Sequence, residues 1–571
     1  MIKYICKNCN IETDTSVCPN CKERTELKGS DIFWCDHCNV PIFEQKCSVC
    51  GNETHRIGSD ARLVFPEERL LLEIMLGCPL KYRDSSVWYV SGDHYVIDGK
   101  KIDFKSGQTR GMDADVIRGE LERWHDENIN NAFDDYINRF ISCNKPRYDY
   151  ITNEALDYIR MISSGYDLTE MYVSFSGGKD STVVSDLVMR ALSEPQILHI
   201  YGDTTLEFPE TKEYVSRFKK AHPKTLVAVS KNKDKDFNQL CEQLGPPSRQ
   251  MRWCCTIFKT GAIQRKLTSL FKNQKRILTF YGIRRNESNT RSKYDRESDS
   301  PKITKQKTVS PIIDWLDFDI WLYLMTTGID FNKAYQYGYS RVGCWCCPNN
   351  SVWSGFLSKI YMPEQYAEFN TILLNFARKI GKPDPEEYIR EGGWKARQGG
   401  TGMEYSNTSI LTYEPCALQE NTVNFELQRP IDEPLYELFK PIGYLDFEIG
   451  NKRLGEVFVK DKKGKLLLKL QGRKGSKALK VSLLDKSIAG SKSFRTAEDK
   501  VKCQITKWQM CMGCLGCESV CKTGAINIVA DREGMRSYTI NNEKCVRCGE
   551  CIDHFNGGCY IRKVLTIRRN A

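Results

Sequence analysis

A short apolar run that leads into a pair of glycines constrains this chain more than any other stretch. Residues 171–186 read MYVSFSGGKDSTVVSD. The residues at 171–175 are strand formers, and after the loop the apolar periodicity resumes as in a helix. The sequence therefore predicts a strand, a tight polar loop and a helix in direct succession, which is the unit that builds α/β folds with a parallel sheet.

The loop in this segment has the chemistry of a phosphate-binding site. Its residues are Ser176, Gly177, Gly178, Lys179, Asp180 and Ser181. Glycines let the backbone approach an anion closely, and the hydroxyls, the lysine and the first N–H groups of the helix surround it. The spacing differs from a Walker A loop, which has four residues between its first glycine and the Gly-Lys pair. SGGKDS resembles instead the PP-loop of ATP pyrophosphatases, whereas an isolated hexapeptide of this kind also suits an ordinary Ser/Gly turn.

Length and cysteine usage bound the class of protein. The 571 residues are enough for roughly three to five domains. The chain has no apolar run of about 18 residues and begins MIKYICKNCN, unlike a signal peptide, so we expect a cytoplasmic protein that does not associate with a membrane. Its 26 cysteines occur largely in CxxC pairs, which indicates metal and cluster ligation in a reducing compartment.

Changes in pattern divide the chain into six predicted segments. They are two cysteine-rich repeats at 1–56, a small β-rich module at 57–112, a helical segment at 113–165, an α/β nucleotide domain at 166–400, a basic β-rich module at 401–500 and a cysteine-rich domain at 501–571. Parallel strands of the nucleotide domain are predicted at 171–175, 197–201, 225–229 and 277–282. Ligands of such sheets bind at the carboxyl ends of strands, so we expect Asp203, after the second strand, to help bind nucleotide.

Residues 1–56 contain an internal cysteine repeat. Cys6, Cys9, Cys18 and Cys21 are followed at the same spacing by Cys35, Cys38, Cys47 and Cys50. Two CxxC pairs joined by a short loop place four thiolates tetrahedrally around one Zn2+, and in so short a segment the metal supplies most of the folding free energy. We predict two zinc ribbons that hold two Zn2+ ions, with a rubredoxin-type iron site as the alternative.

The nucleotide domain carries five motifs in a characteristic order. After SGGKDS come LEFPET, RWCC, GIRRNES and GCWCCP. This order resembles the phosphoadenosine phosphosulfate (PAPS) reductase family, over less than half of the chain. The resemblance implies an α/β fold with a parallel-sheet PP-loop core of the adenine nucleotide alpha hydrolase type, flanked by the zinc ribbons and the smaller modules.

Two features separate this chain from the reductases of that family. Reductases that use a preformed adenylyl sulfate have an altered loop and a C-terminal Glu-Cys-Gly-Leu, whereas here the loop is intact and the chain ends TIRRNA. Members that adenylate sulfate keep the loop but lack the cysteines. An intact loop together with the cysteines resembles the ATP-dependent sulfur-insertion enzymes of DNA phosphorothioation systems.

The resemblance assigns roles to individual residues. The pyrophosphate of ATP would be held by Ser176, Gly177, Gly178, Lys179 and Ser181. Asp180 would help to orient Mg2+ or substrate, and Lys179 and Asp180 would both be catalytic. Arg285 and Arg291 would neutralise developing charge. Cys254, Cys255, Cys344 and Cys347 would ligate a 4Fe-4S cluster. Cys346 is then left over, either as a carrier of persulfide sulfur or as an inert buried thiol.

The C-terminal cysteines form two runs. They are Cys511, Cys514, Cys517 and Cys521, then Cys545, Cys548, Cys551 and Cys559. The runs resemble a bacterial-type ferredoxin domain with two 4Fe-4S clusters, in which the last cysteine of each run ligates the other cluster. Lys522 replaces the usual proline, and the last spacing is long, so cross-ligation by Cys521 and Cys559 is the weakest part of the resemblance. Zinc is the alternative metal. With the central site, the chain is predicted to hold three 4Fe-4S clusters.

Positive charge is concentrated in one segment. Residues 451–500 contain 15 Lys and Arg against 5 Asp and Glu. A hairpin is predicted about Lys463 and Gly464, followed by a lysine-rich strand, and lysines on a strand face can track a phosphate backbone. This pattern favours a nucleic-acid partner, with a solubilising surface as the alternative.

These inferences predict an ATP-dependent sulfur-transfer enzyme. An acceptor oxygen, preferably on DNA, would be adenylated with release of pyrophosphate, and sulfur from a cysteine desulfurase or another donor would then displace AMP. An external electron donor would reduce the ferredoxin domain. The alternatives are a tRNA thiolase, a reductase of a small adenylylated sulfur compound, and an electron-transfer scaffold that only binds nucleotide.

Overall fold

A computed structural model describes residues 4–569 of the chain with short gaps. The gaps are 7–8, 10, 14–17, 23–25, 28–30, 125–126, 128, 234–235, 250, 289–290, 300–305, 397–408, 512–515, 531–535 and 558–565. No helix in the described part of the chain is both long and apolar enough to cross a membrane.

A six-stranded sheet forms the centre of the molecule. Its strands, in spatial order, are Val227–Lys231, Leu198–Asp203, Met171–Phe175, Ile277–Tyr281, Gln306–Val309 and Glu297–Asp299. The first five run parallel, and the last pairs antiparallel at the edge. The predicted parallel-sheet α/β core is therefore confirmed, and the ends of the four predicted strands differ from the observed ones by two residues at most.

The strand before the glycine loop lies in the interior of this sheet. Met171–Phe175 pairs with a strand on each side and is almost wholly buried, because helices cover both faces of a parallel sheet. The next helix, Lys179–Leu192, buries Val183, Val184, Leu187 and Val188 completely. The loop between strand and helix consequently opens at the carboxyl edge of the sheet.

Further helices complete the nucleotide domain. They are Pro209–Ala221, Phe237–Leu244, Gly261–Leu270, Asp317–Thr327, Val352–Tyr361, Pro363–Lys379 and Pro385–Arg390. A π-helix at Cys255–Thr260 precedes Gly261–Leu270 without a break. The widened turn begins at the adjacent cysteines of the RWCC motif, and π-helical turns occur frequently at functional sites.

The N-terminal third folds onto this sheet. Its strands are Tyr4–Cys6, Ile11–Thr13, Glu26–Leu27, Ile32–Cys35, Val40–Ile42, His55–Gly58, Ala61–Leu63, Val87–Val90, His94–Ile97 and Lys100–Lys101, and its helices are Pro66–Met75, Ala114–Arg123, Phe133–Cys143 and Lys145–Ser163. The sequence did not predict the helix Pro66–Met75 within the β-rich module. Trp34 of the second cysteine repeat, Trp88 of the module and Val183 beside the loop belong to one hydrophobic core, so these parts pack as one body.

A seven-stranded sheet follows the nucleotide domain. Its spatial order is Tyr444–Asp446, Glu456–Lys460, Leu466–Gln471, Ala478–Leu483, Thr422–Leu427, Ser409–Pro415 and Thr566–Arg569. The hairpin predicted about Lys463 and Gly464 is present. The strand Thr566–Arg569 pairs parallel with Ser409–Pro415, so a segment predicted to belong to the last domain completes the sheet of the preceding module.

The last part of the chain is small and mixed. The helices Glu433–Glu437 and Phe494–Met510 flank the seven-stranded sheet, and the helices Gly516–Val520 and Glu550–Gly557 and the strands Ile526–Ala530 and Arg536–Ile540 follow. Cys346, Cys517 and Cys551 belong to a single core with the seven-stranded sheet. The nucleotide domain and the C-terminal region therefore share an apolar interface.

The fold brings acidic residues against the basic segment. The ion pairs Lys452–Glu448, Lys460–Asp446 and Lys474–Glu433 join lysines of 451–500 to carboxylates that precede this segment in the chain. Lys462, Lys463 and Lys477 remain exposed. The positive charge of this segment is thus partly neutralised, and the local field is weaker than the sequence alone predicts. Binding of a nucleic acid by this segment stays a prediction.

Gly282 lies against the backbone of the glycine loop, and its substitution tests how closely these two segments pack. A Cβ atom at this position would lie 2.7 Å from the carbonyl carbon of Asp180 and 2.8 Å from the backbone nitrogen of Ser181. We expect Gly282→Ala to lower the free energy of unfolding by about 1–3 kcal/mol, because backbone must move to admit the methyl group. Chemical denaturation measures this change. Gly343→Ala is the control, since its Cβ would meet nothing within 4 Å, and an equal loss in both variants would contradict the prediction.

Candidate nucleotide and metal sites

The glycine loop is held open by hydrogen bonds among its own residues. The Ser176 backbone N–H donates to Ser181 Oγ over 3.2 Å, and Ser181 Oγ donates to the Gly178 carbonyl over 2.9 Å. Gly177 has a φ of 74°, a conformation that favours glycine. Ser176 is exposed, and the N-terminus of the helix Lys179–Leu192 lies at the carboxyl edge of the sheet, a placement that suits phosphate binding.

Two loop residues belong to a network of four charges. Lys179 Nζ lies 3.2 Å from Asp317 Oδ1 and 3.5 Å from Asp180 Oδ2. Arg284 donates through Nε to Asp180 and through Nη2 to Asp317 Oδ1, the latter over 2.7 Å. The side chains of Lys179 and Arg284 are almost wholly buried. Two cations and two carboxylates therefore balance one another at the mouth of the loop.

The pKa values reflect this balance. Burial opposes the charge on Lys179, but the carboxylates of Asp180 and Asp317 outweigh it and raise the lysine pKa. Burial likewise opposes ionisation of Asp180, yet Arg284 and Lys179 lower its pKa, and Lys179 and Arg284 hold the pKa of Asp317 well below its usual range. All four groups are thus charged near neutral pH, and a polyphosphate would find two cations already desolvated.

The predicted arginines have other partners. Arg285 pairs with Asp314 and donates to the Tyr294 carbonyl. Arg291 pairs with Glu287, and Arg341 lies 4.0 Å from the same carboxylate. The sequence predicted a charge-neutralising role for Arg285, whereas its neighbour, Arg284, is the arginine that contacts the loop at Asp180. The charge-neutralising roles of Arg285 and Arg291 stay predictions.

Three residues at the loop were missed by sequence reasoning. The Lys179 backbone N–H donates to Tyr335 Oη over 3.0 Å, and Asn332 Nδ2 donates to the Gly177 carbonyl over 3.2 Å. Asp317 begins the helix Asp317–Thr327 and contacts both Lys179 and Arg284. No local pattern distinguishes Tyr335 or Asn332, whereas the two acidic residues of WLDFD could have pointed to Asp317.

The segment 340–347 joins the loop to the central cysteines. Lys179 Nζ donates to the Ser340 carbonyl over 3.2 Å, and four residues later Cys344 Sγ lies 3.4 Å from Thr204 Oγ1. Thr204 follows Asp203, the predicted nucleotide residue, whose carboxylate pairs with Lys231 over 3.2 Å. The phosphate loop and the central cysteines therefore border the same edge of the sheet.

The four central cysteines lie close together. Cys254 and Cys255 stand at the start of the π-helix, and all four predicted ligands are partly buried. The thiol of Cys255, burial and then the Cys344 thiol raise the pKa of Cys254 well above its usual range. After burial, Cys255 also raises the pKa of Cys347. Half-buried thiols drawn from two chain regions fit the predicted 4Fe-4S cluster, which supplies one-electron chemistry when bound.

Cys346 lies near this group but is more deeply buried. It is buried in the apolar core with Trp253 and Phe369, and burial followed by the nearby Cys344 raises the pKa of its thiol well above the usual range. A carrier of persulfide sulfur needs an accessible thiolate. This environment favours the inert alternative for Cys346, and its predicted catalytic role stays without structural support.

The N-terminal cysteines form two compact sets. In each set of four, the sulfur atoms lie within 4.8 Å of one another, as tetrahedral coordination of one Zn2+ requires. The sequence missed a fifth thiol beside the second set: Cys143 Sγ lies 3.7 Å from Cys47 Sγ, and Arg139 donates to the Cys38 carbonyl over 2.9 Å. The second set is therefore anchored to the helix Phe133–Cys143.

The C-terminal cysteines are placed only in part. Cys514 and Cys559 lie outside the described residues. Cys517 and Cys551 are buried, and Cys517 Sγ donates to the Cys551 carbonyl over 3.8 Å, so the two runs meet as in a two-cluster domain. The helix Gly516–Val520 packs on Cys255–Thr260 and Gly261–Leu270. The first C-terminal run consequently lies beside the π-helix of the central cysteines.

Two regions of the chain, the nucleotide domain and the C-terminal cysteine region, match known family models. Residues 170–350 match the model of the phosphoadenosine phosphosulfate reductase domain, and residues 510–554 match that of the 4Fe-4S dicluster domain. The chain thus carries a PAPS reductase domain and a 4Fe-4S dicluster domain, which confirms both resemblances at domain level. The likeness to DNA phosphorothioation enzymes is not part of either match.

Curated relatives match about half of the chain or less. An uncharacterized protein of Methanocaldococcus jannaschii is 30% identical over 267 residues, which are 46% of this chain and 61% of the relative. A second from the same organism is 28% identical over 47% of this chain and 53% of the relative. The adenosine 5'-phosphosulfate reductase of Shouchella clausii is 25% identical over 34% of this chain and 77% of its own length.

Solved structures overlap the chain weakly. The PAPS reductase of Candida auris covers 35% of this chain and 94% of its own at 14% identity, with a TM-score of 0.27. An NH3-dependent NAD synthetase of Campylobacter jejuni covers 42% of this chain and 97% of its own at 14% identity, with a TM-score of 0.23. The fold assignment depends on the observed sheet and not on these overlaps.

Adjacent arginines give a sharp test of the charge network. We expect Arg284→Ala to weaken binding of ATP at least tenfold, since it leaves Asp180 and Asp317 with one cation between them. Arg285→Ala is the matched control, because Arg285 pairs with Asp314 instead, and its effect should stay below threefold. Calorimetric titration with ATP measures both constants, and a larger loss in Arg285→Ala would contradict the assignment.

The two predicted zinc sites should differ in how much their loss destabilises the protein. We expect Cys6→Ser and Cys35→Ser each to lose one equivalent of zinc, measured by elemental analysis, because each removes one of four thiolates. Only Cys35→Ser should lower the main thermal transition, since Cys35 belongs to the core shared with the sheet and metal binding there contributes to folding. Equal melting temperatures in the two variants would show that the second ribbon is not coupled to the core.

Proposed function

We propose that this chain, which carries a PAPS reductase domain and a 4Fe-4S dicluster domain, uses ATP to activate an acceptor oxygen for replacement by sulfur. The observation that supports this most is the continuity of the segment 340–347, which contacts Lys179 at Ser340 and supplies Cys344 and Cys347 to the central cysteines. Nucleotide chemistry and thiolate chemistry would therefore act on one substrate at one edge of the sheet.

The first half-reaction is an adenylation. The acceptor oxygen attacks the α-phosphorus of ATP, the bond between that phosphorus and the α–β bridging oxygen breaks, and pyrophosphate leaves. The loop N–H groups and the Ser176 and Ser181 hydroxyls would hold the pyrophosphate, while Lys179 and Arg284 would balance charge on the leaving oxygen. Asp180 and Asp317 keep those two cations in place, and Mg2+ would share the phosphate charge.

The second half-reaction introduces sulfur. The terminal sulfur of a donor persulfide attacks the activated acceptor atom, and AMP leaves with the former acceptor oxygen. This step leaves a disulfide between acceptor and donor, and two electrons with one proton then release the donor as a thiol and the product as a thiolate. An external reductant would supply those electrons through the C-terminal domain.

Packing supports an electron path within the chain. The helix Gly516–Val520, which carries Cys517, lies against the π-helix that begins at Cys255. Burial raises the pKa of Glu518 on this helix, and Arg265 of the facing helix opposes the rise. Such a contact holds the C-terminal cysteines beside the central ones without a separate docking step.

Nucleic acid is the acceptor that the chain favours. The net charge is +11, and Lys462, Lys463 and Lys477 are exposed on the sheet that adjoins the nucleotide domain. DNA is preferred because an intact loop together with the cysteines resembles the phosphorothioation enzymes, and tRNA is the second candidate. A cysteine desulfurase is the proposed sulfur donor, and the cytoplasm supplies the reducing conditions that the cysteines require.

Pyrophosphate release tests the proposal. Purified protein with reconstituted clusters should release pyrophosphate from ATP in the presence of duplex DNA or tRNA. Lys179→Ala should abolish that release without changing the iron content, whereas Lys219→Ala, at an exposed position, should leave it unchanged.

The products separate the acceptors. Mass spectrometry of digested nucleic acid, after reaction with a desulfurase, cysteine and a reductant, should show phosphorothioate dinucleotides if DNA is the acceptor and thiolated nucleosides if tRNA is. Absence of pyrophosphate with every nucleic acid would refute the proposal, and reduction of a preformed adenylyl sulfate with release of AMP and without pyrophosphate would favour the reductase alternative.

A further inference from the structure

One carboxylate of the small β-rich module reaches the nucleotide site from far away in the chain. Asp60 precedes the strand Ala61–Leu63 and accepts hydrogen bonds from the backbone N–H groups of Asp317 and Phe318, each over 3.1 Å. It also accepts from Asn286 Nδ2 over 2.6 Å. Its partners therefore come from two separate segments of the nucleotide domain.

These two segments are the ones that carry the charge network. Asp317, whose backbone Asp60 binds, supplies the carboxylate that contacts both Lys179 and Arg284. Asn286 lies two residues after Arg284. Because Asp60 binds both segments, it fixes the distance between Arg284 and Asp317, whose carboxylate accepts a hydrogen bond from the Arg284 guanidinium.

The helix that begins at Asp317 has no polar side chain of its own at its N-cap. Its N-cap residue is Leu316, although Ser, Thr, Asp and Asn are the residues that usually satisfy the first N–H groups of a helix. Asp60 performs this capping from more than 250 positions earlier in the chain. The cap is therefore a tertiary contact, and it exists only when the module is docked.

A second contact ties the same module to the loop. Glu68 of the helix Pro66–Met75 forms a doubly hydrogen-bonded, buried pair with Arg62. Glu68 packs so closely on Gly338 that a Cβ atom added at this glycine would lie 2.9 Å from the Glu68 carboxyl carbon. The helix Pro66–Met75 also packs on Lys333–Tyr337. That turn carries Tyr335, which accepts the backbone N–H of Lys179.

We propose that Asp60 is a positioning residue of the nucleotide site, and that the module at 57–112 thereby helps to maintain the geometry of this site. Asp60 touches neither loop nor phosphate, and it acts by holding Asp317 and Arg284 at the separation that keeps Lys179 and Asp180 in place. This inference rests on the proposed function only in that the site binds ATP.

The electrostatics around Asp60 are consistent with such a role. Burial, and then the neighbouring Asp317 carboxylate, raise the pKa of Asp60 to about 7, while Arg284 opposes the rise. A carboxylate kept beside another carboxylate is unfavourable unless hydrogen bonds compensate for it. The three hydrogen bonds from the nucleotide domain provide that compensation.

The test compares two substitutions at Asp60 with a matched carboxylate. Asp60→Ala removes the acceptor, whereas Asp60→Asn keeps one acceptor oxygen and removes the charge. Asp93→Ala is the control, because Asp93 lies in the same module and accepts three hydrogen bonds, from Tyr89 Oη and from the N–H and Oγ of Ser106, without contact with the nucleotide segments. Calorimetry gives the Kd for ATP, and hydrogen exchange reports the Asp317 and Phe318 amides.

We expect Asp60→Ala to raise the Kd for ATP at least tenfold and to speed exchange of those two amides, with zinc content unchanged. Asp60→Asn should fall between wild type and Asp60→Ala, because its single oxygen replaces only one of the two carboxylate oxygens that accept these N–H groups. Asp93→Ala should lower the melting temperature, because it removes three hydrogen bonds within the module, and should leave the Kd unchanged. Wild-type affinity in Asp60→Ala, or an equal loss in Asp93→Ala, would overturn the inference. Failure of the wild-type protein itself to bind ATP would instead refute the proposed function.

Discussion

The buried charge network of Lys179, Asp180, Arg284 and Asp317 is the interaction on which the rest of the structure depends. Each of these charges would be costly to bury alone, and removal of one partner from such a set commonly costs about 3–5 kcal/mol. The network is held because its members come from three rigid places: the helix after the glycine loop, the end of the strand Ile277–Tyr281, and the helix Asp317–Thr327. A polyphosphate can then meet two cations that are already oriented, which lowers the cost of binding.

The neighbouring parts of the chain are arranged around this network. The segment 340–347 connects it to the central cysteines, and the C-terminal helix Gly516–Val520 packs against the π-helix on which two of those cysteines stand. The β-rich module caps the helix of Asp317 through Asp60. Segments that look like separate modules in the sequence therefore contact one site. An enzyme that couples ATP cleavage to sulfur and electron chemistry would need such an arrangement.

Local patterns predicted the elements well and the contacts between them poorly. The strand at 171–175, the loop and the parallel sheet followed from apolar periodicity and glycine placement, and the two compact N-terminal cysteine sets followed from spacing, because these are short-range properties. Arg284 and Arg285 stand side by side in one motif, and only the fold shows that Arg284 contacts the loop at Asp180 whereas Arg285 pairs with Asp314. Asp60 and Tyr335 act across more than 150 positions, and no local signal marks them.

The central claim is that this network binds ATP for cleavage between its α and β phosphates. Positional isotope exchange tests it most directly, with ATP that carries a heavy oxygen isotope in the α–β bridge and with nucleic acid as acceptor. Reversible cleavage frees the labelled oxygen to rotate within bound pyrophosphate, so we predict that the label moves into nonbridging positions of the β-phosphate, and that Lys179→Ala prevents this. Retention of the label in the bridge while ADP accumulates would show cleavage at the γ-phosphate and contradict the account.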